Sequence, residues 1–185
     1  MCREQLPVWQ SIYGELKAAG ADLLSVAVDL QGPGKPRPYH ERAGAQFTTI
    51  VDQANSLSRL FGYRAIPNGI LVDEQGRLAH RRLGGFDIRK SETMALVQQF
   101  ATSGAVPADG AAQLRPSEHD HFERGYALYL AGDLDSAARI WREGIAVEPD
   151  NWNMRKQLWA IEHPDRFYDG DVDYDWQKQQ VQLGR

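Results

Sequence analysis

The chain has 185 residues, with 21 Lys and Arg against 25 Asp and Glu for a formal net charge of −4 at pH 7. With 42% hydrophobic and 25% charged residues, the composition is ordinary for a soluble globular protein of one medium domain, or a small domain with an appendage. The acidic balance argues against a nucleic-acid partner, no apolar run reaches the roughly 18 residues of a membrane span, and a single cysteine, Cys2, excludes both an intramolecular disulfide framework and a C-x-x-C pair within these residues.

Leu6, Trp9, Ile12, Tyr13 and Leu16 recur at helical spacing, with Glu4, Gln5, Glu15 and Lys17 between them. The pattern predicts an amphipathic first helix, stopped at Gly20. "LLSVAVDL" is an apolar run of strand length, as expected of a strand covered on both faces. "QGPGKPRP" holds three Pro and two Gly and reads as irregular. "FTTIVD" is short and β-branched, and "QANSLSRLFGY" is helical with Leu57, Leu60 and Phe61 on one side. "NGILVDEQGRLAHRRLGG" reads as a hairpin turning at Glu74 to Gly76. Asp87 to Phe100 is another amphipathic helix, with Met94, Leu96, Val97 and Phe100 apolar. The succession implies an α/β sheet with a parallel part and an antiparallel edge.

After Phe100 the composition changes. Residues 104–118, within "ATSGAVPADGAAQLRPSE", are small and Pro- and Gly-containing, and read as a linker. Residues 119–165 are helical throughout, and residues 166–185, including "YDGDVDYDW", form an acidic and polar tail without clear period.

Two motifs in the first hundred residues resemble a known family. "CREQLPVW" is similar to the second half of the active-site motif and first helix of thioredoxin-like proteins of the TlpA/redoxin and AhpC/TSA type. There a C-x-x-C pair sits at a helix N-terminus, with a Pro five residues after the second Cys; Cys2 and Pro7 have that spacing. "YRAIPNGILVDEQGRL" resembles the family's cis-proline loop and following hairpin, with Pro67 as the cis-Pro and Ile66 before it, and "DLLSVAVD" matches its second strand. The resemblance covers residues 1–103. It implies thiol–disulfide exchange, the reduction or isomerisation of a protein disulfide, with no bound cofactor and with electrons passed from another dithiol. Cys2 would be the catalytic residue of this chain, resolving the mixed disulfide, and Ile66 and Pro67 would hold the backbone of a protein disulfide or dithiol partner. The first-turn amides and the positive end of a helix favour a thiolate.

The family pattern is not complete in this chain. Cys2 aligns with the second Cys; the first, attacking Cys and the strand that feeds the helix fall before Met1. That strand would occupy the centre of the sheet, between "LLSVAVD" and "GILVD", and its apolar side chains are worth roughly 8–15 kcal/mol, as much as a typical domain's net stability. The expectation is a natural product that begins further upstream, with a strand donated by another chain or a decayed, inactive relative as alternatives, and with exchange impaired in this chain. A redox-silent protein-binding module and a redoxin-type peroxidase remain as other readings. No charged start followed by an apolar stretch is present, so no compartment is assigned.

"GYALYLAGDLDSAARIWREGIAVEPDN" resembles a tetratricopeptide repeat, with Gly125, Leu128, Gly132, Ala137, Trp141 and Pro149 at its usual positions. His121, Arg124 and Gly144 depart from that pattern. The resemblance implies either protein docking on the hairpin or a helical cap that buries Trp141, Trp152 and Trp159. "HDH" at His119 to His121 offers too few groups for a metal site, with Asp120 as a helix cap. Arg81 and Arg82 read as a solvated strand edge, and "LGG" at Leu83 to Gly85 as a strand exit without the features of a phosphate loop.

Overall fold

The computed structural model describes residues 2–106, 119–168 and 172–183. Most of the expected linker, and parts of the expected tail, lie outside the described residues. The chain divides into two compact units, Met1–Pro116 and Ser117–Arg185.

In the first unit α1 (Cys2–Ala18) buries Gln5, Ile12 and Leu16 along one stripe. It ends at Gly20, whose φ of +86° lets the amides of Gly20 and Ala21 turn back onto the carbonyls of Lys17 and Leu16, a closure that favours glycine. β1 (Leu24–Ala27) pairs parallel with β2 (Thr48–Val51), Val26 opposite Ile50. β3 (Gly69–Val72) pairs antiparallel with β4 (Leu78–Arg82), Gly69 opposite Arg82. The strands therefore form two separate two-stranded ladders, not one sheet, and among the described residues no strand pairs with the second edge of β1 or of β3.

Two short helices follow, one between β1 and β2 and one between the two ladders. α2 (Arg37–Arg42) starts inside the stretch expected to be irregular. Pro36 sits at its N-cap and Pro38 in its first turn, where a proline's missing N–H costs nothing. α3 (Ser56–Phe61) begins where the Asp52 carboxylate accepts from the amides of Ser56 (2.9 Å) and Leu57 (2.8 Å). The hairpin turn is closed by Asp73, whose Oδ1 accepts from the amides of Gln75 and Arg77.

α4 (Ser91–Ser103) starts four residues later than the sequence pattern suggests, because Asp87 is engaged with Arg89 instead of opening the helix. Ile12, Leu16, Phe86, Ile88 and Val97 form the core beneath α1 and α4, flanked by Val8, Trp9, Met94 and Leu96.

In the second unit α5 (His121–Leu130) and α6 (Leu134–Val147) are joined by a turn at Gly132, and the Asp133 side chain caps α6 through the Ser136 amide at 3.1 Å. α7 (Trp152–Glu162) is capped by Asn151, which accepts from the Met154 amide. A Cβ on Gly125 would stand 2.2 Å from Nε1 of Trp141, and one on Gly144 would stand 2.6 Å from His121 and from Met154. Both glycines are thus places where neighbouring helices come too close for a methyl group. Trp141, 2% exposed, donates from Nε1 to the Phe122 carbonyl.

The last segment, which has no clear period in sequence, contains α8 (Tyr174–Gln182). Gln177 is buried in it, and Trp176 ties it to the preceding helix and turn. Trp176 packs edge-on against Trp159, His163 and Phe167, while Asp173 caps the helix through the Trp176 amide.

Candidate functional site

The candidate groups of the first unit are the first turn of α1 and the loop from Ala65 to Asn68. Cys2 is exposed in that first turn, and the Ile66–Pro67 peptide bond is cis. The loop is held from behind by Asn68: its Nδ2 donates to the Ala65 carbonyl at 2.9 Å, and its Oδ1 accepts from the Gly84 amide at 2.7 Å. The Phe86 amide donates to the Pro67 carbonyl at 3.3 Å. Gly69 lies against the Phe86 ring so closely that an added Cβ would stand 2.3 Å from it. Pro67 and Asn68 are thus engaged internally. Ile66 is not: its side chain is 39% exposed, and no backbone hydrogen bond among the described residues uses its N–H or C=O. Tyr63, at the entry to the loop, is buried, and burial first, then the charge of Asp52, pushes its phenol up.

The same segment that fixes the loop also fixes α1. The Ile88 amide donates to Oε1 of Gln5 at 3.0 Å, and Gln5 is only 3% exposed. Trp9 stacks on Phe86 at 6.4 Å between ring centres. Arg89 reaches Oε2 of Glu4 at 2.7 Å and grips Asp87 through Nε and Nη2. That two-pronged guanidinium holds the Asp87 carboxyl down to about 2. Residues 84–89 therefore work as a bracket, with Gly84 and Phe86 tied to the Pro67 loop and Ile88 and Arg89 tied to the first turn that carries Cys2. The bracket thus contacts both the α1 turn that carries Cys2, through Glu4 and Gln5, and the loop that carries Ile66 and Pro67.

Gln5, Asn68, Phe86, Asp87 and Arg89 were not singled out by sequence reasoning. One of them left a trace: Gln5 falls on the apolar stripe of Trp9, Ile12 and Leu16, and a polar residue on such a stripe signals a buried hydrogen bond.

The remaining sequence candidates fall elsewhere. Arg81 is not a simply solvated edge, since it is half-buried and donates to the Phe61 carbonyl at 3.3 Å; Arg82 is exposed. Asp120 stands at the N-cap of α5 but makes no side-chain cap bond, facing Arg124 at 3.5 Å instead. His119 and His121 lie 6.0 Å apart between ring centres, and among the described residues no three His, Cys, Asp or Glu side chains gather as a metal ion requires. No helix of the described residues is long and apolar enough to cross a membrane.

No protein-family model and no solved structure matches the chain. Over 99 residues, 54% of this chain and 52% of the relative, it is 25% identical to the thiol-disulfide oxidoreductase ResA of Halalkalibacterium halodurans. The chain has a distant relative among thiol–disulfide oxidoreductases. The match spans about half the length of that relative, so the relative's whole activity is not carried over by the likeness alone.

Proposed function

We propose that the first unit performs thiol–disulfide exchange with a protein partner, with Cys2 as the exchanging sulfur and Ile66 and Pro67 as the ledge along which the partner's extended backbone lies. One observation carries this reading: the bracket of residues 84–89 ties the helix end bearing Cys2 and the cis-proline loop to one scaffold, while the backbone of Ile66 is left for another chain to pair with. The distant thiol–disulfide oxidoreductase agrees with it.

With one cysteine among 185 residues, the step open to this chain is a single displacement. The Cys2 thiolate attacks one sulfur of a partner disulfide and forms the Cys2–partner S–S bond. The partner's own S–S bond breaks, and the leaving sulfur takes up a proton. A second thiol, from the partner or a small dithiol, then attacks the mixed disulfide and returns Cys2 to the thiol. In the two-cysteine scheme of the family Cys2 holds the resolving place, so turnover by this chain is impaired and depends on that external thiol. The second unit is read as a tetratricopeptide-like helix pair, on the strength of the close approach at Gly125 and the turn at Gly132.

Incubation with an oxidised model protein such as insulin, followed by intact-mass analysis, tests the reading. One adduct per chain at Cys2 is expected, released by dithiothreitol and abolished in Cys2→Ser. A folded chain that forms no adduct contradicts the proposal.

A further inference from the structure

The first turn of α1 has two unlike flanks. On one, Glu4 and Asp87 share the single guanidinium of Arg89. On the other stands α2. Arg3, the neighbour of Cys2 in the chain, donates from Nη1 to the Tyr39 hydroxyl and places its guanidinium carbon 4.5 Å from the Tyr39 ring centre. The guanidinium carbon of Arg42 lies 5.7 Å from the same ring centre. One aromatic ring thus gathers two cations at the cysteine end of α1. Between Lys35 and Arg42 the chain carries Lys35, Arg37, His40 and Arg42 against one acid, Glu41. Arg37 and Arg42 are exposed, and among the described residues neither makes an ion pair. In a chain of net charge −4, Arg37 and Arg42 thus place exposed positive charge on the helix whose Tyr39 meets Arg3.

We propose that the basic, aromatic flank formed by Arg3, Tyr39 and Arg42, with the exposed Arg37 on the same short helix, receives an acidic segment of the protein partner, adjoining the cysteine that exchanges with Cys2. This rests on the reading of Cys2 as an exchanging thiol. Guanidinium groups pair with carboxylates in a two-pronged geometry that an ammonium cannot reproduce. Clustered charge of one sign raises the rate of encounter with the opposite sign at low salt and suppresses partners of the same sign.

The test uses two short peptides, identical except that Asp and Glu or Lys flank a single cysteine activated as a 2-pyridyl disulfide. The Cys2 thiolate attacks the peptide sulfur, the Cys2–peptide S–S bond forms, the bond to the pyridyl sulfur breaks, and pyridine-2-thione leaves with the proton and is read by absorbance. At about 10 mM salt the acidic peptide is expected to react roughly tenfold faster than the basic one, and at about 1 M salt the two converge. The Arg37→Glu/Arg42→Glu double variant reverses the preference; Arg37→Gln/Arg42→Gln, milder toward α2, abolishes it. A cysteine-free fluorescent acidic peptide, followed by anisotropy, reads the flank without the thiol. Selective binding of that peptide with no thione released from either activated peptide supports the flank and contradicts the thiol reading. Thione release with no charge preference, or a preference that survives both double variants, overturns the flank. Tighter binding of phosphatidylserine vesicles or single-stranded DNA than of the acidic peptide, with the same arginine dependence, overturns the assignment to a protein partner.

Discussion

The two units differ in which contacts dominate around their key residues. The second unit relies on close approach: Gly125 and Gly144 leave out the atoms that would part the helices, and Trp141 fills the seam. The first unit, around its candidate site, relies on side-chain amides and carboxylates that reach backbone amides far away in sequence, Gln5 to Ile88 and Asn68 to Gly84. Packing of the first kind is intolerant of added volume but indifferent to charge. Tethering of the second kind tolerates volume at its exposed side and fails when one donor or acceptor is removed. The difference fits the proposed role of the first unit, in which a thiol and a backbone ledge are held in a set relation while one face stays open to a partner.

The comparison can be broken most strongly in the second unit. Trp141→Ala empties the seam and is expected to cost about 3–5 kcal/mol, read as a shift of the denaturant midpoint with circular dichroism. Gly125→Ala forces a methyl into the indole and is expected to cost about 1–3 kcal/mol; a variant as stable as the parent would show that the helices are not held at that distance. In the first unit, Asn68→Ala removes the bonds to Ala65 and Gly84 and leaves the Gly84 amide unsatisfied, a loss of about 1–3 kcal/mol. The sharper sign is kinetic. Adduct formation at Cys2 with an extended peptide disulfide slows, while alkylation of Cys2 by a small reagent such as iodoacetamide does not change.

The smallest effect is on acid stability. The Asp87 carboxyl is held to about 2 by Arg89, below its ordinary value of about 3.9. A carboxylate depressed by folding stabilises the fold fully above the unfolded value and loses that contribution as pH falls through the folded one. The Asp87–Arg89 contribution is therefore present above about pH 4 and lost toward about 2. Asp87→Asn should flatten the acid limb of the stability curve in that window and leave its neutral part with a constant offset.

Much of the first unit was legible because its signals are local. The stripe of Trp9, Ile12 and Leu16, the stop at Gly20 and the hairpin around Asp73 to Gly76 each lie within a few residues. α2 was not legible, since Pro36 and Pro38 read as breakers in a window that does not know it is a helix start. α8 was missed because Trp176 ties it to the preceding helix and turn, and one aromatic makes no period. The bracket left almost no trace, because its bonds span 16 and 83 residues and join side chains to backbone amides whose identity the sequence does not encode. Cys2, Ile66 and Pro67 could be named from their motifs; the segment that relates them could not.

If the helix end bearing Cys2 and the cis-proline loop act on one partner, hydrogen exchange at the Ile66 amide, measured by NMR before and after Cys2 is joined by a disulfide to an extended peptide, will show it. The Ile66 amide is expected to become protected in the adduct, while Gly76, in the hairpin turn, does not change. An adduct formed in full with exchange at Ile66 as fast as before would contradict that joint action.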